Sequence, residues 1–397
     1  MSRGDYFILN FGCGEVYVRK DRISQLRMVD GIIFDCDGVL IDIRGSYNRA
    51  ISKSVAYILE GMTGRLVPES LISDEIIHLF RRTGGFNNDW DTVYGILMFM
   101  LSKLPKEIRR CLREQMERIE RETSPFKRFM LIKEYTKEES RMRMLNEDFF
   151  TKSIKELKDF TNLLDFTGSE SVDKNLLKIY GSNGNFQEFY LLLKRFLHPT
   201  EDVRKSIIAS VFEEFFCGAS LFKEVYGIDP QFNSGSGLID NERLIVRSEA
   251  LDSLISILGK RNLGIASGSR RKSAEYVLGD LIEKFNPKAL VFAESVEMAE
   301  RSMKKALKKP HPFSLLKAAE GFGEFNFLIY VGDSMEDAIM ASEAANLNGR
   351  VLFAGVYRYT SFEEEKLRIF LDHGCDMILP TVNELPLILK ELRRKED

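Results

Sequence analysis

Two aspartates one residue apart are the part of this sequence best suited to chemistry. Asp35 and Asp37 follow the apolar run at residues 31–34, which predicts a short buried strand, and Gly38 then permits a tight turn. Carboxylates this close repel each other unless a cation or a shared proton offsets the repulsion. At the carboxyl end of a strand in an α/β sheet, such a pair can serve a magnesium ion and a phosphate ester. The alternative is an Asp-x-Asp-Gly turn that only ends a strand.

Three later segments repeat the pattern of an apolar run, a polar residue and a turn. Residues 263–266 lead into Ser-Gly-Ser at 267–269, and residues 327–331 lead into Gly-Asp-Ser-Met-Glu-Asp at 332–337. Between them, Lys-Pro-His-Pro at 309–312 precedes an amphipathic stretch. Taken singly, these segments are also typical of a serine helix cap, an acidic turn and a basic residue before a helix.

Together and in this order, the four segments resemble the four motifs of the haloacid dehalogenase (HAD) superfamily. The resemblance covers residues 28–45 and about 238–397. Members of this superfamily are mostly magnesium-dependent phosphatases built on a Rossmann-like sheet. The resemblance therefore implies an α/β fold, with a doubly wound parallel sheet as its core. It also implies a phosphatase-like branch in which a large helical cap is inserted between the first and second motifs.

The apolar spacing along the chain agrees with this organisation. Residues 1–44 are predicted to hold a β-hairpin, added as an edge of the core sheet, and the first core strand. Residues 45–237 show mainly helical periods and predict an all-helical cap domain. In residues 238–397, short apolar runs alternate with helical stretches, as in the remainder of a parallel sheet. The strands expected there are 263–266, 290–293, 327–331, 351–356 and 377–379.

Composition narrows the class of protein. The chain has 397 residues, 44% hydrophobic and 29% charged, which is typical of a soluble globular protein with two domains. Its net charge of −3 predicts neither nucleic acid nor a membrane as partner, and the charged stretch 103–148 is interpreted as solvated amphipathic helices. Five scattered cysteines and the lack of a signal-peptide pattern predict reduced thiols and a cytoplasmic location.

The resemblance implies a role for each motif residue. Asp35 would be the nucleophile that forms an aspartyl-phosphate, and Asp37 the general acid and then the general base. Ser267 and the backbone N–H of Gly268 would bind the phosphoryl group. Lys309 would offset its charge, and is preferred to its neighbour, residue 308, because it directly precedes proline.

The remaining motif residues would hold a cofactor, Mg²⁺. Asp35, Asp333 and Asp337 would bind the ion through their carboxylates, and Asp37 through its backbone carbonyl. An all-oxygen site of this kind suits Mg²⁺. The alternatives from the residues alone are that Asp337 lies on the surface and that Ser267 is only a helix cap.

The segment Gly-Gly-Phe-Asn-Asn-Asp-Trp-Asp at 84–91 holds the only tryptophan of the chain. A similar string occurs in a phosphatase-like branch of the superfamily. Asn87, Asn88 and Trp90 are predicted to face the substrate, because asparagine amides can recognise hydroxyl groups. The alternative is a capped turn between two helices, with Trp90 in the core of the helical domain.

These observations favour a magnesium-dependent phosphomonoesterase that acts on a small phosphorylated metabolite. A phosphomutase of the β-phosphoglucomutase kind keeps both aspartates and is one alternative. A catalytically weak member that binds a protein through its large cap is another. Neither the physiological substrate nor the oligomeric state, which stays unknown, follows from the sequence.

Overall fold

The chain folds into two compact units, one built from both ends of the sequence and the other from its middle. The computed structural model describes residues 3–86, 88–181, 184–200, 202–360 and 362–394. Met1–Arg44 and Asn241–Asp397 form the first unit, called here the core unit, and Gly45–Asp240 form the second, called the helical unit. The sequence pattern predicts that the helical domain ends at residue 237, whereas in the structure the helical unit ends at Asp240.

The core unit is organised by an eight-stranded sheet in the order β1-β2-β10-β9-β8-β3-β6-β7. Neighbours from β10 to β7 are parallel, whereas β1 pairs antiparallel with β2, and β2 pairs antiparallel with β10. Two short strands, β4 and β5, pair separately. The strands are β1 (Tyr6–Phe11), β2 (Gly14–Arg19), β3 (Val29–Phe34), β4 (Ile41–Asp42), β5 (Arg243–Leu244), β6 (Leu263–Ala266), β7 (Leu290–Val291), β8 (Phe327–Gly332), β9 (Val351–Val356) and β10 (Met377–Leu379).

Helices surround this sheet and make up the helical unit. The α-helices of the described residues are α1 (Ile23–Arg27), α2 (Tyr47–Thr63), α3 (Asp74–Arg81), α4 (Asp89–Ser102), α5 (Lys106–Arg118), α6 (Pro125–Glu138), α7 (Glu147–Phe160), α8 (Ser169–Tyr180), α9 (Gly184–Leu197), α10 (Ile207–Tyr226), α11 (Ser248–Leu258), α12 (Arg271–Leu278), α13 (Ala293–Met303), α14 (Phe313–Glu320), α15 (Met335–Asn348), α16 (Glu363–His373) and α17 (Leu385–Arg394).

Both faces of the parallel part of the sheet are buried, which explains why β6, β8 and β9 are continuous apolar runs. In β3, Ile32 and Phe34 pack on one face, together with residues of α1, α11, α12 and α17. Ile33, between them, packs on the other face with residues of α13, α14, α15 and α16. This is the doubly wound arrangement. The predicted fold class, a Rossmann-like α/β core with an inserted helical domain, is confirmed.

The sheet order brings three loops to one place. β3 lies between β8 and β6, and Phe34 at its end is in register with Val331 of β8 and Ile265 of β6. Because parallel strands end at the same edge, the residues that follow β3, β6 and β8 emerge side by side. These are the segments that carry the first, second and fourth predicted motifs.

The helical unit contains no named strand among its described residues. α2 packs against α4, α6 and α10. Its apolar residues at 51, 55 and 58, spaced for one helix face, are all buried. Over the whole described chain, no helix is both long enough and apolar enough to cross a membrane.

A buried carboxylate holds the last loop of the helical unit. Glu214 of α10 is 2% exposed, and its Oε2 accepts hydrogen bonds from the backbone N–H groups of Gln231 at 2.8 Å, Asn233 at 2.9 Å and Phe232 between them. The Asn233 amide donates in return to the Glu214 backbone carbonyl at 2.9 Å. Buried backbone donors need such partners, because leaving them unpaired is costly.

We expect Glu214→Ala to lower the free energy of unfolding by about 2–3 kcal/mol, since it removes a charged acceptor shared by three backbone donors. Thermal unfolding of the full chain measures this. Glu214→Gln is the matched control, because it keeps a side-chain oxygen in place, and it should lose clearly less. If Glu214→Ala unfolds at the same temperature as the wild type, the Glu214 side chain does not stabilise the fold as we expect.

Candidate active site

Asp35 is held in a defined orientation directly after β3. Its backbone N–H donates to the Val331 carbonyl at 2.9 Å, which continues the pairing of β3 with β8. Its Oδ1 accepts the backbone N–H of Cys36 at 2.8 Å. Its Oδ2 lies 2.9 Å from the Nζ atom of Lys309. The side chain is therefore fixed from both sides at the carboxyl end of the strand.

Asp337 is the most completely hydrogen-bonded carboxylate of the site. It is the third residue of α15, and its Oδ2 accepts the Ser334 hydroxyl at 2.7 Å and the backbone N–H groups of Asp333 and Ser334, both at 3.1 Å. Its Oδ1 accepts Lys309 Nζ at 2.7 Å and the Tyr330 hydroxyl at 3.0 Å. Asp337 and Ser334 thus form a capping box that also positions a carboxylate at the site.

Carboxylate oxygens of Asp35, Asp333 and Asp337 lie within 4.8 Å of one another. Such a cluster is electrostatically costly unless cations balance it. Lys309 contacts Asp35 and Asp337, while Lys366 of α16 contacts Asp333 Oδ2 at 2.7 Å. Three hard oxygen donors at one point are the ligand set that Mg²⁺ prefers over nitrogen- or sulfur-binding metals. By this chemistry, the residues fit a magnesium ion.

The environment shifts the proton affinities of these groups in different directions. Burial, together with the charges of Asp337 and Asp333, raises the pKa of Asp35 to about 6, although Lys309 acts to lower it. Burial acts to raise the pKa of Asp337, but Lys309 and the hydrogen bonds of Asp337 hold that pKa below its usual value. Burial opposes the charged form of Lys309, yet Asp337 and Asp35 keep its pKa well above the usual range. The Lys309–Asp337 pair is therefore ionised.

Asp37 lies beside this cluster and has a different partner. Its Oδ2 accepts the hydroxyl of Ser269 at 2.9 Å. Burial and then the charge of Asp35 raise the pKa of Asp37 to about 7. One aspartate of the pair thus faces an ammonium group, and the other faces a hydroxyl. The two carboxylates therefore differ in environment.

The Ser-Gly-Ser segment after β6 is tied to the sheet and to Asp37. The Ser267 backbone N–H donates to the Val291 carbonyl at 3.0 Å, and its hydroxyl lies 3.0 Å from that of Ser269. Ser267 does not cap α12, which begins at Arg271; its hydroxyl instead accepts the Ser269 backbone N–H at 3.2 Å. Gly268 is exposed and precedes α12.

The adjacent residues Lys308 and Lys309 differ clearly in their exposure to solvent. Lys309 has a side chain that is 14% exposed and points to Asp35 and Asp337, whereas Lys308 is exposed. The Asp337 side chain is 1% exposed, so the alternative of a surface residue is excluded.

Three contributors to the site were not predicted: Ser269, Tyr330 and Lys366. Ser269 had a signal, since it is the second hydroxyl of the Ser-Gly-Ser segment. Tyr330 sits in an apolar strand run and donates its hydroxyl to the Ala266 carbonyl at 3.1 Å as well as to Asp337. Lys366 lies 33 residues after Asp333, in a helix rich in charged residues, and had no distinguishing signal.

The residues predicted to face the substrate lie in the helical unit. The side chain of Asn88 caps α4 by accepting the Trp90 backbone N–H at 3.1 Å. Trp90 is 8% exposed, and its indole N–H donates to Glu213 Oε1 at 2.9 Å. Asn87 lies outside the described residues. Both described residues thus have structural partners, and their part in substrate binding stays a prediction.

Comparison with solved structures supports the fold. The chain is similar to the X-ray structure of target ZR25 of the Northeast Structural Genomics Consortium, with a TM-score of 0.66 and 16% identity, covering 92% of this chain and 100% of that one. At this identity, the likeness shows the fold alone. No family model matches the sequence, and no curated protein matches it.

Two weaker likenesses have TM-scores too low to support an argument. One is to phosphatase Tt82 from Thermococcus thioreducens, with a TM-score of 0.48 and 21% identity, covering 86% of this chain and 99% of that one. The other is to a HAD-superfamily hydrolase, subfamily IA, variant 1, from Geobacter sulfurreducens PCA, with a TM-score of 0.35 and 16% identity, covering 91% of this chain and 97% of that one.

Gly38 has no space for a side chain beside the carboxylate cluster. Its φ is +72°, and a Cβ atom there would lie 2.5 Å from Asp333 Cγ. We expect Gly38→Ala to lower the free energy of unfolding by about 1–3 kcal/mol through backbone strain, and further through displacement of Asp333. We also expect it to abolish the thermal stabilisation that Mg²⁺ gives the wild type, measured by thermal unfolding with and without the ion.

Gly349→Ala is the matched control for backbone strain. Gly349 follows α15 with φ +70°, and a Cβ atom there would meet nothing within 4 Å. This variant should be destabilised by strain alone and should keep the full response to Mg²⁺. An equal Mg²⁺ response in wild type, Gly38→Ala and Gly349→Ala would contradict the assignment of Asp333 to an ion site.

Proposed function

We propose that this chain is a phosphatase of the HAD type: a Mg²⁺-dependent phosphomonoesterase that acts on a small phosphorylated metabolite through an aspartyl-phosphate. One observation carries the proposal. The carboxylates of Asp35, Asp333 and Asp337 lie within 4.8 Å of one another, and the Lys309 ammonium lies 2.9 Å from Asp35 and 2.7 Å from Asp337.

In the first step, Asp35 would attack the phosphorus atom of the ester. A bond forms between the Asp35 carboxylate oxygen and phosphorus, and the bond from phosphorus to the ester oxygen breaks. Asp37 would give its proton to the departing alkoxide, so that the product leaves as an alcohol. The hydroxyl of Ser267 and the backbone N–H of Gly268, an exposed residue, would bind phosphoryl oxygens.

In the second step, water would hydrolyse the aspartyl-phosphate. Asp37, now a carboxylate, would take a proton from the water as its oxygen bonds to phosphorus. The bond from phosphorus to Asp35 breaks, inorganic phosphate leaves, and both aspartates return to their starting states. Ser269 would keep Asp37 directed toward the reacting atoms during both transfers, because its hydroxyl holds one carboxylate oxygen.

Asp35, Asp333 and Asp337 would hold the magnesium ion, with the backbone carbonyl of Asp37. When bound, the ion supplies positive charge that stabilises the phosphoryl oxygens. Lys309 adds a fixed positive charge next to Asp35 and Asp337, and its contacts with these two carboxylates keep it there. The helical unit, inserted in the sequence between the first and second motifs, would serve as a cap that excludes water and selects the substrate.

The decisive experiment measures phosphate release from a panel of esters with Mg²⁺ and with EDTA. The panel contains p-nitrophenyl phosphate, phosphoglycolate, sugar phosphates, nucleotides and phosphoserine. We expect release that requires Mg²⁺ and that Asp35→Asn reduces to background while the fold stays intact, because an amide is not a nucleophile here. Asp280→Asn, at an exposed aspartate of the core unit, is the matched control and should keep full activity.

Absence of Mg²⁺-dependent release across this panel would count against a phosphatase. Isomerisation of a sugar phosphate without net release would instead identify a phosphomutase, which shares the first step. If the chain shows neither activity but still binds Mg²⁺, this result would favour the alternative of a protein-binding member.

The role of Asp37 predicts a dependence on the leaving group. Asp37→Asn should reduce kcat/KM by about 10²–10⁴ for alkyl phosphates, whose alkoxides need a proton in order to depart. The loss should be much smaller for p-nitrophenyl phosphate, whose nitrophenolate leaves readily without one. Steady-state kinetics on both esters measures the two losses. Equal losses would show that Asp37 is not the general acid.

A further inference from the structure

Lys366 holds one particular oxygen of the candidate metal ligand Asp333. Its Nζ atom lies 2.7 Å from Asp333 Oδ2, and the two side chains are only 20% and 23% exposed. Because the pair is largely shielded from water, it constrains the carboxylate more than an exposed ion pair does. The contact joins α16 to the loop after β8, two elements far apart in the sequence.

The same oxygen is enclosed on another side by the backbone. A Cβ atom at Gly38 would lie 2.5 Å from Asp333 Cγ and closer still to Oδ2, so the turn after Asp37 packs directly against this oxygen. Oδ1 of Asp333, in contrast, has no hydrogen-bond partner among the described residues. Lys366 therefore competes with a metal ion for one particular oxygen of Asp333, and no described cation competes for the other.

We infer that Lys366 is a positioning residue that makes Asp333 a one-oxygen ligand and so selects Mg²⁺ over Ca²⁺. The inference rests on the proposed function, because it needs a divalent ion at the cluster. Ca²⁺ takes six to eight oxygens and readily binds both oxygens of a carboxylate, whereas Mg²⁺ requires a compact octahedron of single oxygens. A carboxylate with one oxygen held by an ammonium group therefore suits Mg²⁺ better than Ca²⁺.

A ratio of affinities separates this geometric effect from simple charge. The positive charge of Lys366 repels Mg²⁺ and Ca²⁺ alike, so removing it changes both affinities by a similar factor. Only freeing the second oxygen of Asp333 favours the larger ion. The ratio of the two dissociation constants therefore reports on the constraint and is insensitive to net charge.

The test is calorimetric titration of Mg²⁺ and of Ca²⁺ into the full chain without substrate. Lys366→Met removes the ammonium and keeps much of the side-chain length. Lys366→Arg keeps a cationic donor. Lys317→Met is the charge control, because Lys317 of α14 is 54% exposed and pairs with the nearby surface residue Glu320. Circular dichroism checks each fold, and Lys366→Gln replaces Lys366→Met if that variant does not fold.

In Lys366→Met, we expect the affinity for Ca²⁺ relative to Mg²⁺ to rise roughly tenfold, as for other residues that orient a metal ligand. Lys366→Arg and Lys317→Met should keep the wild-type ratio. An unchanged ratio in Lys366→Met, with Mg²⁺ bound by the wild type, overturns this inference and leaves the proposed function standing. If the wild type binds neither ion, both are wrong.

Discussion

The repulsion among buried carboxylates is the constraint around which the core unit is arranged. Asp35, Asp333 and Asp337 converge at the ends of two adjacent parallel strands, where burial weakens the screening that water would provide. The convergence is tolerated because other groups meet each charge. Lys309 bridges two of the carboxylates, and Lys366 contacts the third. The backbone N–H groups of Asp333 and Ser334, just before α15, donate to Asp337.

This arrangement makes the site inseparable from the fold. Asp337 helps to cap α15 and faces the cluster with the same carboxylate. Tyr330 packs on one face of the sheet while its hydroxyl donates to Asp337. Asp35 continues the pairing of β3 with β8 before its side chain turns toward Lys309. Each of these side chains is thus positioned by an element that the chain needs for other reasons.

Much of this could be predicted because the signals are local. Apolar runs followed directly by aspartates identify strand ends, and parallel strand ends meet at one edge, so the grouping of Asp35 with Asp333 follows from short stretches of sequence. Lys366 and Ser269 could not be found in this way. Their contacts span 33 and 232 residues and depend on side-chain directions that no periodicity encodes. The packing of the nine α-helices α2 to α10 could not be predicted either. It depends on which helix faces contact each other, and the apolar spacing within each helix does not specify that.

The division of the core unit between the two ends of the chain affects the order in which the protein can form during synthesis. β3 comes from the first segment, but its neighbours β6 and β8 come from the last, so the central strand has no partner until the ribosome has passed residue 266. The helical unit is one continuous stretch that ends at Asp240. It can therefore complete its own core first, while the apolar strand at residues 29–34 waits unpaired and needs protection from aggregation.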